Sequence, residues 1–280
     1  MTGRKQGPSR HKPRLGQNFL VSPTAPRAIV DALGDLSQAT VLEIGPGKGV
    51  LTSLLAPRAK HLIAVELDPA LAASLQHSFA GSPMEILCQD ILTVDLTQLA
   101  AQRGVRLQVV GNLPYYISSP ILMHLFAHSA VIDRAVLMAQ REVAERIVAP
   151  PGSSAYGLLS AITQMYATVE NLFTLPPEAF APPPEVYSTV FRLSMHSRFD
   201  ELEVEPAGFL RFLRQIFALK RKTLANNLRA SGLQRLRTAI SHYADVRHGG
   251  KPFHPAARGF RSTAGGLLHR LPPDDAFPIR

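Results

Sequence analysis

Between Thr40 and Leu137 the chain repeats a short apolar run followed by a stretch of helical length, and this repetition constrains the fold most strongly. Continuous apolar runs suit parallel strands that are buried on both faces, whereas the intervening stretches have helical spacing. The predicted strands are 40–44, 62–66, 85–88, 107–110 and 134–138, and the predicted helices are 23–33, 49–57, 69–79, 119–128 and 140–148. The alternation predicts an α/β domain with a mostly parallel sheet.

The pattern changes after Pro150. A helix is predicted over 157–165, and two extended stretches, 166–174 and 187–195, are joined by a proline-rich loop that favours an antiparallel hairpin at the sheet edge. From Glu205 onward the chain is helical and basic, which indicates a second, smaller domain. The predicted organisation is a flexible basic tail (1–14), a main domain (15–198), a helical domain (199–250) and a poorly ordered, glycine- and proline-rich tail (251–280).

The net charge of +9 is unevenly distributed along the 280 residues. Residues 1–14 contain five Lys or Arg and no acid, and residues 196–280 contain fifteen Lys or Arg against seven acids. The intervening residues 15–195 contain ten against fourteen. Basic segments around a mildly acidic body indicate particular surfaces that attract a polyanion such as nucleic acid.

Several other classes of protein are disfavoured. No apolar run approaches the ~18 residues that a membrane span needs, and no signal or transit pattern is visible, so we expect a cytoplasmic protein without a membrane partner. The single cysteine, Cys88, has no partner for a disulfide or zinc site, and it is predicted to be a small buried apolar residue. We also expect no metal and a monomeric state.

Strand 40–44 runs into three alternating glycines, Gly45, Gly47 and Gly49, and then a helix. Glycines allow a sharp turn and a close approach to a ligand, and the helix N-terminus offers free N–H groups. Glu66, at the end of the next strand, can accept hydrogen bonds from two ribose hydroxyls, and Asp90 after the third can receive an adenine amine. These residues predict an adenosine-containing cofactor.

The residue before the glycines distinguishes between two such cofactors. Dinucleotide-binding loops usually read G-x-G-x-x-G, whereas this one reads G-x-G-x-G and is preceded by Glu43. A carboxylate there would repel a pyrophosphate but suits a cation. S-adenosylmethionine has no phosphate and carries a sulfonium and an ammonium group, so it is predicted in preference to NAD.

The strand 107–110 leads into Gly111-Asn112-Leu113-Pro114-Tyr115. The Asn112 side-chain oxygen and the Leu113 carbonyl can accept the two hydrogens of an aromatic amine, which favours a nitrogen that pyramidalises as it attacks a methyl group. Pro114 restricts Leu113 to an extended conformation, and Tyr115 can stack on a purine. The motif predicts methyl transfer to an exocyclic amine of adenine, with no general base.

These motifs resemble the KsgA (RsmA) family of small-subunit ribosomal RNA adenine dimethyltransferases. The resemblance covers most of the chain and runs through 11–20, 43–49, Glu66, Asp90, 112–115, 179–184 and 217–228. It implies a Rossmann-like class I methyltransferase fold with a small α-helical C-terminal domain. It also implies S-adenosylmethionine-dependent dimethylation of two adjacent adenines in the hairpin loop near the 3′ end of 16S ribosomal RNA, within an assembling small ribosomal subunit.

The resemblance and the motifs together assign roles to individual residues. The cofactor-binding residues are Asn18, Leu20, Gly45, Gly47, Glu66, Asp90 and Asn112. The catalytic residues are Asn112, Leu113, Pro114, Tyr115 and Phe180. By resemblance, Phe180 faces Tyr115 across the target base, as a looped-out base requires.

Basic side chains on the predicted helix 217–229 are expected to contact RNA phosphates while its apolar side chains pack. These RNA-binding residues are Lys220, Arg221, Lys222 and Arg229. The chain departs from the family after the proline run, where the family usually has Lys-Val-Asp-Ser and this chain has 185–188 as Glu-Val-Tyr-Ser. RNA contacts there are expected to differ, and beyond Gly232 no family pattern is visible.

Three alternatives stay open at this stage. The related antibiotic-resistance methyltransferase modifies an adenine of large-subunit RNA, but its family tends to have isoleucine where this chain has Leu113. A non-catalytic assembly or transcription factor could retain the fold, although the 112–115 motif disfavours it. An NAD oxidoreductase would need a proton-transferring residue beside the glycines, and none is evident.

Overall fold

Residues 17–218 are described by a computed structural model of the chain. The strands are β1 (Phe19–Leu20), β2 (Thr40–Ile44), β3 (His61–Glu66), β4 (Glu85–Cys88), β5 (Leu107–Asn112), β6 (Ile132–Gln140), β7 (Ala167–Leu175), β8 (Phe180–Ala181) and β9 (Ser188–Met195). The helices are α1 (Ala25–Asp31), α2 (Thr52–Leu55), α3 (Pro69–Ser78), α4 (Leu96–Arg103), α5 (Ser118–Ala127), α6 (Arg141–Val148), α7 (Leu158–Tyr166), α8 (Phe199–Leu202) and α9 (Pro206–Ile216).

Seven strands form one sheet in the order β4-β3-β2-β5-β6-β9-β7. The pairings of β2 with β3 and β5, of β3 with β4, and of β5 with β6 are parallel. All five residues of β2 are buried, as expected of a central strand with both faces covered. Because parallel strands end at one edge, the residues that follow β2, β3, β4 and β5 are brought together there.

The predicted fold class and parallel strands are confirmed. Strands β2 and β4 have the predicted bounds, β3 is longer by one residue, β5 by two, and β6 by two at each end. Helix α2 is shorter than the predicted 49–57 at both ends, and Gly49 is excluded from it because its φ of +79° lies in the left-handed region. Helix α4 was not predicted, although Asp95 caps its N-terminus and Gly104 ends it with positive φ.

The predicted antiparallel edge hairpin is also confirmed. Strand β9 lies between β6 and β7. The Thr174 and Thr189 hydroxyls are 3.0 Å apart, and Arg192 contacts Glu170. Residue numbers therefore rise along β7 as they fall along β9, so these two strands are antiparallel.

A two-stranded sheet was not predicted. Strands β1 and β8 pair in antiparallel fashion, with Leu20 opposite Phe180. The Val21 N–H extends this contact by donating to the Ala179 carbonyl at 2.8 Å. Residues 17–20 are thereby held beside the carboxyl edge of the large sheet.

The chain divides into two compact units. Among the described residues, the first unit contains 17–144 and Glu170–Leu193, and the second contains Glu145–Val169 and 194–218. The prediction differs from this division. It places 145–169 in the main domain and begins the second domain at residue 199. The sequence instead predicts helix 157–165 as part of the main domain and the helices after residue 198 as a separate one.

Aromatic side chains form the core of the second unit. The ring centroids of Phe199 and Tyr166 are 5.0 Å apart, and those of Phe199 and Phe209 are 6.2 Å apart. Helix α9 begins at Pro206, and the Glu205 carboxylate accepts the Ala207 N–H at 2.7 Å. A proline at the first position and an acceptor before it are typical of helix starts.

Within residues 17–218, no helix is long and apolar enough to cross a membrane. Over the same residues, no group of three or more His, Cys, Asp or Glu could hold a metal ion. The prediction that Cys88 is buried is wrong, because its side chain is exposed. It is the last residue of β4, which is an edge strand of the sheet that residues 17–218 form and pairs there with β3.

Candidate active site

A cavity opens at the carboxyl edge of the large sheet and contains both predicted sets of residues. All seven predicted cofactor residues line it, namely Asn18, Leu20, Gly45, Gly47, Glu66, Asp90 and Asn112. Leu113, Pro114 and Tyr115 line the same cavity. The structure therefore brings together every predicted catalytic and cofactor residue except Phe180.

The glycine turn between β2 and α2 forms one wall. Gly45 and Gly47 have φ of +63° and +59°, a conformation that side-chain-bearing residues rarely adopt. A Cβ atom at Gly47 would lie 3.1 Å from the Phe19 ring. The Lys48 ammonium lies 4.7 Å from the centroid of the same ring, so residues 17–20 and the glycine turn pack closely together.

The Glu66 carboxylate fixes this wall. One of its oxygens accepts the Gly47 N–H at 3.0 Å, and the other accepts the Asp68 N–H at 2.9 Å. Each carboxylate oxygen has a second lone pair, so both can still accept a hydroxyl hydrogen. Glu66 is thus able to orient the glycine turn and to bind a ribose.

Glu43 is a buried acid beneath the turn, with 1% of its surface exposed. The pKa of Glu43 is raised to about 7, chiefly by burial and to a smaller extent by the nearby charge of Glu66, while the hydrogen bonds from Thr52 act in the opposite direction. The Thr52 hydroxyl donates to the Glu43 carboxylate at 2.7 Å. A positively charged ligand would favour the ionised form, whereas a pyrophosphate would not.

Asn112, the last residue of β5, is held by a contact from the N-terminal segment. Its side-chain Nδ2 donates to the Asn18 carbonyl at 3.1 Å, which leaves the Oδ1 as the atom that can accept a hydrogen from a bound amine. The Leu113 N–H donates to the Met138 carbonyl at 2.9 Å. Both residues that carry the predicted acceptor oxygens are therefore fixed in place.

Pro114 and Tyr115 begin the turn that follows. The Pro114 carbonyl accepts the Ser118 hydroxyl at 3.0 Å and the Ile117 N–H at 3.1 Å. The Tyr115 hydroxyl is 2.7 Å from the Ser188 hydroxyl, at the first position of β9. Burial raises the pKa of Tyr115, against a smaller lowering by this hydrogen bond, so the phenol is neutral at physiological pH.

Phe180 does not lie where the resemblance implied. Its side chain is 2% exposed and packs in the core with Leu20 and Ala179. It is not among the residues that line the cavity. Its pairing with β1 accounts for this position, because β8 turns the ring into the core beside Leu20.

Two hydroxyl residues of the site, Thr52 and Ser188, were missed from the sequence. Both are buried: Thr52 bonds Glu43, the acid before the glycine turn, and Ser188 bonds the predicted catalytic residue Tyr115. Thr52 belongs to none of the motifs, and Ser188 stands in the 185–188 segment without an assigned role. The predicted RNA-binding residues Lys220, Arg221, Lys222 and Arg229, like the basic tail 1–14, lie outside the described residues.

Comparisons with known proteins agree with this geometry. The family described as "Ribosomal RNA adenine dimethylase" matches residues 9–249. The Acidobacterium capsulatum protein "Ribosomal RNA small subunit methyltransferase A" is 60% identical over 223 residues, which cover 79% of this chain and 78% of that protein.

Two solved structures are similar over most of their length. A dimethyladenosine transferase from Plasmodium falciparum matches with a TM-score of 0.68 and 26% identity, covering 90% of this chain and 88% of that one. The 23S rRNA methyltransferase ErmE matches with a TM-score of 0.66 and 25% identity, covering 91% and 99%.

Proposed function

Because the chain belongs to the ribosomal RNA adenine dimethylase family, we propose that it dimethylates the N6 amines of two adjacent adenines in the hairpin loop near the 3′ end of 16S ribosomal RNA. The substrate is the RNA of an assembling small ribosomal subunit, and S-adenosylmethionine supplies the methyl groups. A relative with 60% identity is named for the small subunit, which supports this choice of RNA.

One observation carries the chemical part of the proposal, namely the fixed amide of Asn112. Its Nδ2 donates to the Asn18 carbonyl, so its oxygen is directed to accept from another group. An exocyclic adenine amine is a weak nucleophile because its lone pair is delocalised into the ring. Acceptors at Asn112 and at the Leu113 carbonyl favour a pyramidal nitrogen, whose lone pair is available for attack.

The residues of the cavity fit S-adenosylmethionine. Glu66 has free lone pairs on a carboxylate already oriented by two N–H groups, as ribose recognition requires. Asp90 follows the neighbouring strand β4, and its carboxylate can accept from an adenine amine as well as from the Leu92 N–H. When bound, this cofactor supplies a methyl group on a positively charged sulfur, and the buried Glu43 provides a compatible charge.

No residue needs to remove a proton before transfer. Bound S-adenosylmethionine would supply the methyl group to the neutral amine, with the sulfide as the leaving group, and the methylated amine would then lose its proton to water. Asn112 and Leu113 position the nitrogen, and Tyr115 supports the purine ring by stacking. The same positions can serve the second transfer, because a monomethylated amine retains one hydrogen.

RNA binding is assigned to the basic segments. We place the phosphate contacts on Lys220, Arg221, Lys222 and Arg229 in the helical domain 199–250, with a further contribution from the tail 1–14. The enzyme is proposed to act as a monomer in the cytoplasm, where small subunits are assembled. It uses no metal.

Mass spectrometry of ribosomal RNA tests the proposal. RNA from cells with and without the protein is digested, and the 3′-terminal fragment of 16S RNA is weighed. The expected result is a loss of four methyl groups from two adjacent adenines in cells without the protein. Unchanged 16S RNA would overturn the proposal, and a change at an adenine of 23S RNA instead would support the activity named for ErmE.

A further inference from the structure

Exposed apolar side chains stand on two segments that meet beside the candidate active site. Tyr187 and Tyr116 are 46% and 60% exposed, and Val186 is also exposed. Large exposed apolar side chains that lie together mark a surface for a partner. We call Tyr116, Val186 and Tyr187 the aromatic patch.

Two observations place the patch at the mouth of the cavity. Tyr116 lines the cavity itself and directly follows Tyr115. Tyr187 directly precedes Ser188, whose hydroxyl is 2.7 Å from the Tyr115 hydroxyl. This hydrogen bond therefore joins the two segments that carry the patch.

A cation accompanies the Tyr187 ring. The Arg141 guanidinium lies 5.2 Å from the ring centroid, and the Arg141 N–H donates to the Tyr187 carbonyl at 2.9 Å. The backbone contact holds the start of α6 beside the segment before β9. An aromatic ring with a guanidinium is the combination that stacks on unpaired bases in single-stranded RNA sites.

We propose that Tyr187 and Arg141 form a binding site for an unpaired nucleobase that neighbours the target adenine in the RNA loop. The proposal rests on the proposed function, since that function brings a single-stranded loop to this edge of the sheet. While one base enters the cavity beside Tyr115, the adjacent unpaired base stacks on Tyr187. At 185–188 this chain lacks the lysine and the aspartate that the family usually has. In the proposed site a stacking contact from Tyr187 takes the place of the contacts that those charged residues would make.

Stacking and phosphate binding respond differently to salt. Removing a cation that binds phosphate flattens the dependence of affinity on salt concentration, whereas removing a stacking ring lowers affinity equally at every salt concentration. The binding of unmethylated small subunits is therefore measured for the full chain at several salt concentrations. Tyr187→Ser should weaken binding by about 5- to 100-fold with an unchanged salt slope, and Tyr187→Phe should stay close to the natural protein.

The control is Val105→Ser, which removes another exposed apolar side chain. Val105 precedes β5 and therefore lies at the amino ends of the parallel strands, opposite the carboxyl ends where the cavity opens. It should leave RNA affinity unchanged. Thermal unfolding and S-adenosylmethionine affinity, measured by calorimetry, should be unchanged in all three variants. A Tyr187→Ser protein with natural affinity, or with a flattened salt slope, would overturn the proposal.

Cross-linking identifies the contacted group. A photoreactive phenylalanine analogue at position 187 is irradiated in the complex with small subunits, and the linked nucleotide is mapped by primer extension. The expected link is to a loop nucleotide next to the target adenines, and a link to a stem nucleotide or a ribosomal protein would contradict it. If the natural protein methylates no adenine, the proposed function fails, whereas normal methylation with a negative Tyr187 result rejects this site alone.

Discussion

The Asn112 amide should act on the transferring nitrogen and hardly at all on RNA binding, which Asn112→Ala can test. The substitution removes two interactions of different size. The first is the acceptance of an amine hydrogen by Oδ1, which strengthens as the nitrogen pyramidalises. Loss of one such preorganised polar contact costs about 2.7 to 4 kcal/mol, or roughly 100- to 1000-fold in the rate of transfer.

The second interaction is the hydrogen bond from Nδ2 to the Asn18 carbonyl at 3.1 Å. A hydrogen bond of this kind contributes about 1 kcal/mol, which corresponds to roughly a 5-fold change in an equilibrium constant. Because Asn18 lines the cavity, we expect this smaller loss in S-adenosylmethionine affinity. The transfer rate must therefore be measured at saturating cofactor.

The assay is single-turnover methylation of unmethylated small subunits with the full chain. Asn171→Ala is the matched control, because Asn171 is an exposed asparagine in β7, away from the cavity lining. It should transfer methyl groups at the natural rate. A normal single-turnover rate for Asn112→Ala would refute the assignment, and so would a loss that appears in RNA affinity alone.

Four further predictions follow from the site and its surroundings. Glu66→Ala should weaken S-adenosylmethionine binding by about 1.5 to 3 kcal/mol through lost hydrogen bonds to a charged group, and unchanged affinity in calorimetry would contradict this. The raised pKa of Glu43, about 7 against an ordinary 4.5, favours its neutral form in the folded state, so its contribution to stability is complete below pH 4.5 and is lost as the pH rises to 7. Between pH 4.5 and 7 the free energy of unfolding of the natural protein, measured with denaturant, should therefore fall by about 3 kcal/mol relative to that of Glu43→Gln. The same dependence of this free energy on pH in both proteins would disprove the prediction. Phe180→Ala should lower the free energy of unfolding by about 3 to 5 kcal/mol because the ring is buried; a stable variant impaired in base capture alone would instead restore the stacking role. Neutral residues at 220–222 should flatten the log-log salt dependence of RNA binding by about 0.7 to 0.9 for each lost phosphate contact, and an identical slope would place those contacts elsewhere.

The parallel part of the fold could be predicted from the sequence because its signals are local. Each apolar run that the sequence offers as a strand is one, and β2 has the predicted bounds. Once the strands are parallel, their carboxyl ends share an edge, so Glu66, Asp90 and Asn112 come together without further information. The glycine turn could also be predicted, because alternating glycines directly after a strand indicate both a sharp turn and a backbone that a ligand can approach closely.

Contacts between distant segments could not be predicted in this way. Asn112 and Asn18 are 94 residues apart, and Tyr115 and Ser188 are 73 apart. A period of apolar residues indicates which face of an element is buried, but it does not indicate which hydroxyl or carbonyl another segment brings to that face. The partners that orient Asn112 and Tyr115 therefore emerge from the tertiary structure alone.

Phe180 shows a different limit. The resemblance assigned it to the cavity, opposite Tyr115, whereas the structure buries it against β1. The strand that contains it has two residues and is followed by prolines at 182–184, so the sequence shows no alternation of apolar and polar residues that predicts the pairing. The large gain from burying an aromatic ring is consistent with the core position.

The pairing of β1 with β8 has a consequence for the time at which the enzyme becomes active during its own synthesis. Asn18 and Leu20 leave the ribosome early, but the strand that holds them, Phe180–Ala181, is made 160 residues after Leu20. Domains fold as the chain emerges, so the central parallel strands can pair while residues 17–20 are still without a partner. In a nascent chain that ends before residue 180, the glycine turn should form, but β1 has no β8 to hold the Asn18 carbonyl beside the Asn112 amide. The cavity is completed when β8 emerges.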